Sequence, residues 1–259
     1  MEKILIEEMS WTEFREAMKE TDLIVIPVGV IEEHGCHNPL GTDTLIAEAC
    51  ARLVGERAGV PVAPVLPFGY SANLVSFPGT NSLDPELYRR VLFSYAESYV
   101  RHGAKRFLFI NGHGGNTGTL GLVCGELFDK YGCLCLYNQW WEVLPSLKKE
   151  WDCADHGGHF ETSMMMGVDP GLVQLDRARS ASVNPLTAKI EYKHGWQYGG
   201  AAIPLPVDVY KVHKYGNVGN PPFEANAELG RQMIETYVEF NVALANELKR
   251  AEFFERSLV

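Results

Sequence analysis

Apolar residues come in two rhythms along the chain. Between Asp22 and Val30, and again between Arg106 and Ile110, they run almost without interruption and are rich in Ile, Val and Phe. Such runs predict strands buried on both faces. Cys133 to Tyr137 predicts a third strand of this kind, and Val60 to Phe68 a strand-like stretch broken by prolines. Between the runs the apolar residues recur at helical spacing. Ser10 to Lys19 predicts a helix with Ser10 as N-cap and Glu13 completing a capping box. Asp43 to Ala58 carries Ile46, Ala47, Cys50, Leu53 and Val54 on one face and stops at Gly59. Asp84-Pro85 predicts a cap followed by proline at the first helical position, opening a helix through Leu87, Val91, Tyr95 and Val100 that ends near Gly103. Thr117 to Tyr131 and Phe223 to Arg250 predict two more helices, the last with Leu229, Met233, Tyr237, Leu244 and Leu248 in one stripe.

Strand and helix therefore alternate over short connections. The expected fold is a single α/β domain over residues 1–259, a mostly parallel sheet flanked by helices on both faces. Only residues 179 to 222, rich in Gly, Pro, Tyr and Lys, lose the rhythm and predict an irregular excursion.

Sheets of this kind carry their sites at the carboxyl ends of the strands. Glu32, Glu33, His34, Cys36, His37 and Asp43 follow the first run, and Asn111-Gly112-His113-Gly114-Gly115-Asn116 follows the second. Asp155-His156-Gly157-Gly158-His159-Phe160-Glu161 makes a third cluster, expected at another strand-to-helix junction. Five of the eight histidines fall in these three segments, which are expected to meet on one rim. Imidazole and carboxylate without paired cysteines suit zinc, manganese or iron. Glu32 and His34, two apart on an extended segment, can serve one ion or two adjacent ions. Asp43, at a helix start that favours its anionic form, could bridge two.

Each motif alone has a plainer reading. Asp43 could be only an N-cap, and the glycine-rich loop at His113 a phosphate cradle, although it lacks the P-loop ending. Cys153 and His156 could be a thiol and its base, Cys36 a soft ligand, and Trp140-Trp141 core packing. Composition narrows the class further. The net charge of −10 and the absence of a basic patch argue against a nucleic-acid partner. No apolar run is long enough to cross a bilayer, the N-terminus does not read as a secretory signal, and six scattered cysteines fit reduced thiols in a cytoplasm.

Together the motifs resemble those of the creatininase (creatinine amidohydrolase) family over most of the chain. Pro27 to Gly35 with Asp43 is similar to its first metal motif, Phe77-Pro78-Gly79-Thr80 to its second signature, Asn111-Gly112-His113 to its third, and His156 to Ser163 to its fourth. The resemblance implies an α/β hydrolase with two divalent ions, assembled as a homohexamer and acting on a small molecule. Members open cyclic amides, deformylate a pyrimidine precursor, trim a modified peptide or cleave an oxidised inositol ring. By resemblance Glu32, Asp43 and His113 hold one ion, and His34, Asp43 and Glu161 the other. His156 falls at the general base, and Asn111 and His37 at groups that orient the ligands. Gly114, Gly115 and Ser71 are expected beside ligands or substrate.

The chain departs from the family pattern at Glu33 (usually Gln), Cys36, Asn38, Leu74 (often His), Gly115 (acidic in true creatininases) and Gly219-Asn220-Pro221. These departures tell against creatinine as the substrate. The expected activity is hydrolysis of a cyclic amide or formamide C–N bond by hydroxide held between two ions about 3.5–4 Å apart. Cleavage of an oxidised cyclic polyol on the same centre is the alternative, and a non-catalytic metal-binding protein a more distant one. His194, Trp196, Tyr198, Lys211 and His213 are expected to give the pocket a polar-aromatic lining.

Overall fold

The structure, a computed structural model, describes residues 3–180, 184–192, 196–203 and 206–252. Strands β1 (Leu23–Val28), β2 (Arg106–Asn111) and β3 (Leu134–Gln139) form a parallel sheet in the order β1-β2-β3. The stretch 60–66 lies along the free side of β1. Val25 donates to the Pro61 carbonyl at 3.0 Å, Ala63 to Val25 at 2.9 Å, and Leu66 to Pro27 at 3.1 Å. Pro61 and Pro64 lack the N–H a ladder needs, so this stretch makes isolated bridges and not a regular strand.

Alternate strand residues serve two cores, as the period of two requires. Leu23, Val25, Leu108 and Ile110 pack with helices α2 (Thr42–Ala58), α5 (Trp140–Leu147), α6 (His159–Val168) and α8 (Ala227–Arg250). Ile24, Ile26, Val28, Phe107 and Phe109 pack against α3 (Pro85–Val100) and α4 (Thr117–Tyr131), and Phe14 and Met18 of α1 (Trp11–Glu20) lean on the same core. Helices thus cover both faces. The Ser10–Glu13 capping box forms, and the Asp84 carboxylate accepts from the N–H groups of Glu86 and Leu87 with Pro85 opening the helix.

Several expectations need correction. β3 is not buried throughout: it is the edge strand of its sheet, and Leu136 lies 39% exposed. The buried stripe of α3 is Tyr88, Leu92 and Ala96, one position on from the expected face, and Leu87 is exposed. The final helix starts at Ala227, where the Asn226 side chain accepts from the Leu229 N–H at 2.9 Å; Pro222–Glu224 forms a separate turn. The excursion at 179–222 is not wholly irregular. It carries strands β4 (Ile190–Tyr192), β5 (Trp196–Tyr198) and β6 (Ala201–Ala202), an antiparallel sheet in the order β4-β5-β6, and the short helix α7 (Val209–Val212).

The third chemical segment also arises differently. It does not follow a sheet strand. β3 runs into α5, and His156 then pairs antiparallel with Val218 before α6 begins. Close packing of α6 on α8 sets its position: a Cβ at Gly230 would lie 1.7 Å from the Ser163 carbonyl oxygen, so only glycine lets the two helices approach this far.

Candidate metal centre

Three chain segments deliver five ligand-type side chains to one buried point. Glu32 and His34 lie in the loop after β1, pinned where Glu32 N–H donates to Leu40 O and Glu33 N–H to the Thr80 hydroxyl, both at 2.9 Å. Thr80 closes the Phe77-Pro78-Gly79-Thr80 signature, which thereby acquires a structural role. Asp43 is the second residue of α2, and His113 follows β2. Glu161 sits in the first turn of α6. Relative exposures are 1% for Glu32, 0% for His34, 2% for Asp43, 8% for His113 and 5% for Glu161. Burying three carboxylates together is unfavourable unless positive charge joins them.

The two carboxylate oxygens of Asp43 face different imidazoles. Oδ1 is 2.9 Å from His34 Nε2, and Oδ2 is 3.0 Å from His113 Nδ1. Glu32 Oε1 is 3.2 Å from His113 Nδ1, and Glu161 Oε2 is 3.6 Å from His34 Nε2. Two groups of metal-ligand spacing result, Glu32–Asp43–His113 and His34–Asp43–Glu161, with Asp43 common to both. They are the two sets the resemblance implies. Asp43 Oδ2 is buried and makes no well-aligned hydrogen bond, its neighbour at 3.0 Å being His113 Nδ1. An anionic oxygen facing an imidazole nitrogen among further carboxylates fits a cation between them.

The surroundings aim these ligands. His34 Nδ1 lies 3.1 Å from the Glu32 carbonyl, and His113 Nε2 2.9 Å from the Tyr70 carbonyl. Donation of those N–H groups leaves His34 Nε2 and His113 Nδ1 as lone pairs directed inward. Asn111 Oδ1 accepts the His113 N–H at 3.1 Å, and the Ser71 hydroxyl donates to Glu32 Oε2. Among the described residues His37 hydrogen-bonds to none of these five side chains. It pairs with the Thr162 hydroxyl at 3.0 Å, tying its loop to α6 beside Glu161, and burial pulls its pKa down to about 4. Gly114 and Gly115 border the cavity. A Cβ at Gly115 would lie 2.0 Å from Tyr70 O and 2.5 Å from His113 Nε2, so a larger residue would break the bond that orients His113.

Without cations the cluster holds protons. Burial disfavours the charged ring of His34, but Asp43 and Glu161 outweigh it and raise its pKa well above the ordinary value. His113 is raised in the same way, against burial, by Glu32 and Asp43. His156 stands over the cluster with its ring centroid 4.4 Å from that of His34. Its Nε2 is 3.1 Å from Glu33 Oε1, and its Nδ1 is 3.8 Å from Glu32 Oε1 and 4.0 Å from Glu161 Oε2. Burial and His34 push its pKa down, yet Glu33 and Glu32 lift it to about 9. With Glu32 and His34 it forms a third group of ligand spacing.

Sequence reasoning assigned no role to several residues around this point. Asp155 accepts the N–H groups of Phe160 at 2.9 Å and Glu161 at 3.3 Å, fixing the start of α6; an acid shortly before a helix is the signal for it. Burial and Glu161 push its pKa up to about 7. Trp140 is core as expected, but Trp141 reaches the cavity wall. Cys36 joins none of the ligand groups among the described residues, and burial pushes the Cys153 thiol up, which disfavours its thiolate. Of the expected lining, Trp196 borders the cavity, Tyr198 and Lys211 are exposed, His213 is buried, and His194 lies outside the described residues. Among the described residues no helix is long and apolar enough to cross a membrane.

Replacing Ser71 by alanine removes the hydroxyl that orients Glu32. Metal affinity is expected to fall by ~10–100-fold with the fold unchanged, as read by competition with a chromogenic chelator. Unchanged affinity would show that this hydrogen bond does not orient the ligand.

A parallel α/β scaffold thus carries a buried carboxylate–imidazole cluster with the spacing of a divalent-metal site. The creatininase family, described as creatinine amidohydrolase, matches residues 7–245, and the chain belongs to it. It is 32% identical to creatinine amidohydrolase of Pseudomonas putida over 198 residues, 67% of this chain and 75% of that one. It is 33% identical to the mycofactocin precursor peptide peptidase of Mycobacterium tuberculosis over 230 residues, 83% of this chain and 81% of that one. A crystal structure of creatininase superposes with a TM-score of 0.78 at 26% identity, covering 96% of this chain and 99% of that one. Further matches include manganese and Zn–Zn forms of creatininase and, over 112 residues only, 3-dehydro-scyllo-inosose hydrolase of Thermotoga maritima.

Proposed function

We propose that this chain is a dinuclear amidohydrolase that cleaves a C–N bond of a small cyclic amide or formamide. The observation that carries the reading is Asp43, whose two oxygens face the separate imidazoles of two ligand groups. Glu32, Asp43 and His113 would hold one divalent ion, and His34, Asp43 and Glu161 the other. Zinc and manganese both suit this donor set, and iron is compatible with it. When bound, such a pair supplies Lewis acidity and lowers the pKa of water toward neutrality.

The protein's own groups supply the rest. Glu33 accepts His156 Nε2–H, which leaves Nδ1 facing the cluster and the cavity. From there His156 takes a proton from the attacking water and passes it to the leaving nitrogen. The backbone at Gly114 and Gly115 borders the same space, and its N–H groups would steady the carbonyl oxygen as it gains charge. Assembly into a homo-oligomer, a hexamer by resemblance, belongs to the same proposal and is read by native mass spectrometry.

The test is reconstitution. Chelator-treated protein is expected to lose amide hydrolysis, followed as ammonia, amine or formate release, and to regain it with zinc or manganese at two equivalents per chain. Activity that survives complete metal removal would sink the reading.

The raised histidines add a pH signature. Because His34 and His113 hold protons in the metal-free site, metal must displace them, and apparent affinity is expected to rise with pH. Their folded pKa values exceed the unfolded value of about 6.5, so the stability they lend the metal-free protein is full below that pH and is lost as pH rises through the folded values. The melting temperature of the metal-free protein should therefore fall from about pH 6.5 upward. Scanning calorimetry checks this, and a metal-free melting temperature that climbs over that range contradicts it.

A further inference from the structure

The cavity above the cluster has a volume of about 410 Å³, and its walls restrict what can enter. Trp141 and Trp196 line it together with Leu74, Val209, Val212 and Val218. Away from the ligands and His156 the polar side chains in the lining are few, chiefly Tyr70, Asn73 and Asp155. Among the described residues no Lys or Arg lines the cavity. The lysine expected there, Lys211, is turned to solvent with its side chain 77% exposed.

Three consequences follow from this composition. A phosphate or carboxylate carried by the substrate away from the scissile bond would be desolvated with no lysine or arginine among the described lining residues to meet it, and with Asp155 in the same wall. A polyhydroxylated ring would lose hydrogen bonds to water on most of its perimeter, because the valine and leucine side chains offer none in return. An apolar planar group loses nothing by leaving water and gains contact with two indoles.

We propose that the substrate is an uncharged amide bearing an apolar, planar group, with that group seated between the tryptophans and the valine wall and the amide carbonyl directed at the Asp43 cluster. This rests on the amidohydrolase reading and selects within it, setting the polyol alternative aside.

Two measurements on the metal-loaded enzyme test the proposal. The first compares kcat/KM for N-phenylformamide, 4-formamidobenzoate, 4-formamidophenyl phosphate and creatinine. The neutral aryl formamide is expected to exceed each of the others by on the order of 100-fold. The second is calorimetric binding of oxindole against oxindole-5-carboxylate, which needs no turnover. Oxindole should bind at least about ten-fold tighter, and Trp196→Ala should erase the difference by weakening oxindole alone. In Val209→Lys, a cation placed in the half-buried part of the wall should move the preference toward the carboxylates. Equal or better binding and turnover of the anionic compounds by the unmodified enzyme would overturn the proposal. Selective oxindole binding without hydrolysis of any amide would uphold the pocket's preference and overturn the amidohydrolase reading instead.

Discussion

Asp43→Asn is expected to empty both cation positions at once and to lower turnover by on the order of 10³-fold or more. Asp43 is 2% exposed, and its two oxygens lie 2.9 and 3.0 Å from imidazole nitrogens belonging to different ligand groups. Asparagine keeps the shape but replaces one anionic oxygen with an NH₂ group, which cannot donate a lone pair to a cation. It also removes the charge that both positions share. The comparison variants are Glu161→Gln and His113→Ala, each of which touches only one of the two groups. These should lose one equivalent of metal each, whereas Asp43→Asn should lose two. Inductively coupled plasma mass spectrometry on dialysed protein reads the count, and circular dichroism confirms the fold. Two equivalents retained by Asp43→Asn, with activity intact, would mean that Asp43 bridges nothing and that its carboxylate is merely part of a helix start.

Most of the candidate ligand positions were legible in the sequence because they lie where local rules operate. A continuous apolar run ending at Val30 marks β1, and the polar residues just beyond it must lie at its carboxyl end. The same rule places His113 after β2. The caps at Ser10 and Asp84, and the exact extent of α4, follow from short-range hydrogen bonding and periodicity. Glu161 was found by its motif, but its route to the site was misread. It arrives on α6, held by the crossing over Gly230 and by the Asp155 carboxylate, and not at the end of a sheet strand. The walls were the least legible part. Leu74, Trp141 and Val212 come from separate loops and helices, and no spacing in the chain relates them. Lys211 and Val212 show the difficulty: they are adjacent in sequence, yet one side chain faces solvent and the other the cavity. Which one faces inward is decided by how the short helix Val209–Val212 lies over the site, a tertiary fact with no periodic signature in four residues.

His156→Gln separates two roles that the geometry brings close together. The ring lies within 4.0 Å of Glu32 and Glu161 oxygens through Nδ1, near enough to join a ligand group, while Nε2 is held 3.1 Å from Glu33. It is 21% exposed at its side chain, against 0% for His34, so one edge meets the cavity where a substrate would lie. A proton carrier needs that access and a metal ligand does not. The expected result is a fall in kcat of ~10²–10⁴-fold with both equivalents of metal retained, the reverse of the Asp43→Asn pattern. The acid limb of the pH profile should change as well, since the ring must be neutral to accept a proton. Carboxylates hold the metal-free ring protonated to about pH 9, and bound dications oppose that charge and draw the limb toward neutrality. In the variant the limb attributed to this ring should vanish, and Glu33→Ala, which frees Nε2, should lower kcat in the same direction while leaving the metal count unchanged. Loss of one metal equivalent in His156→Gln, with a parallel loss of activity restored by excess metal, would assign the ring to the ligand set and leave the proton transfer to another group.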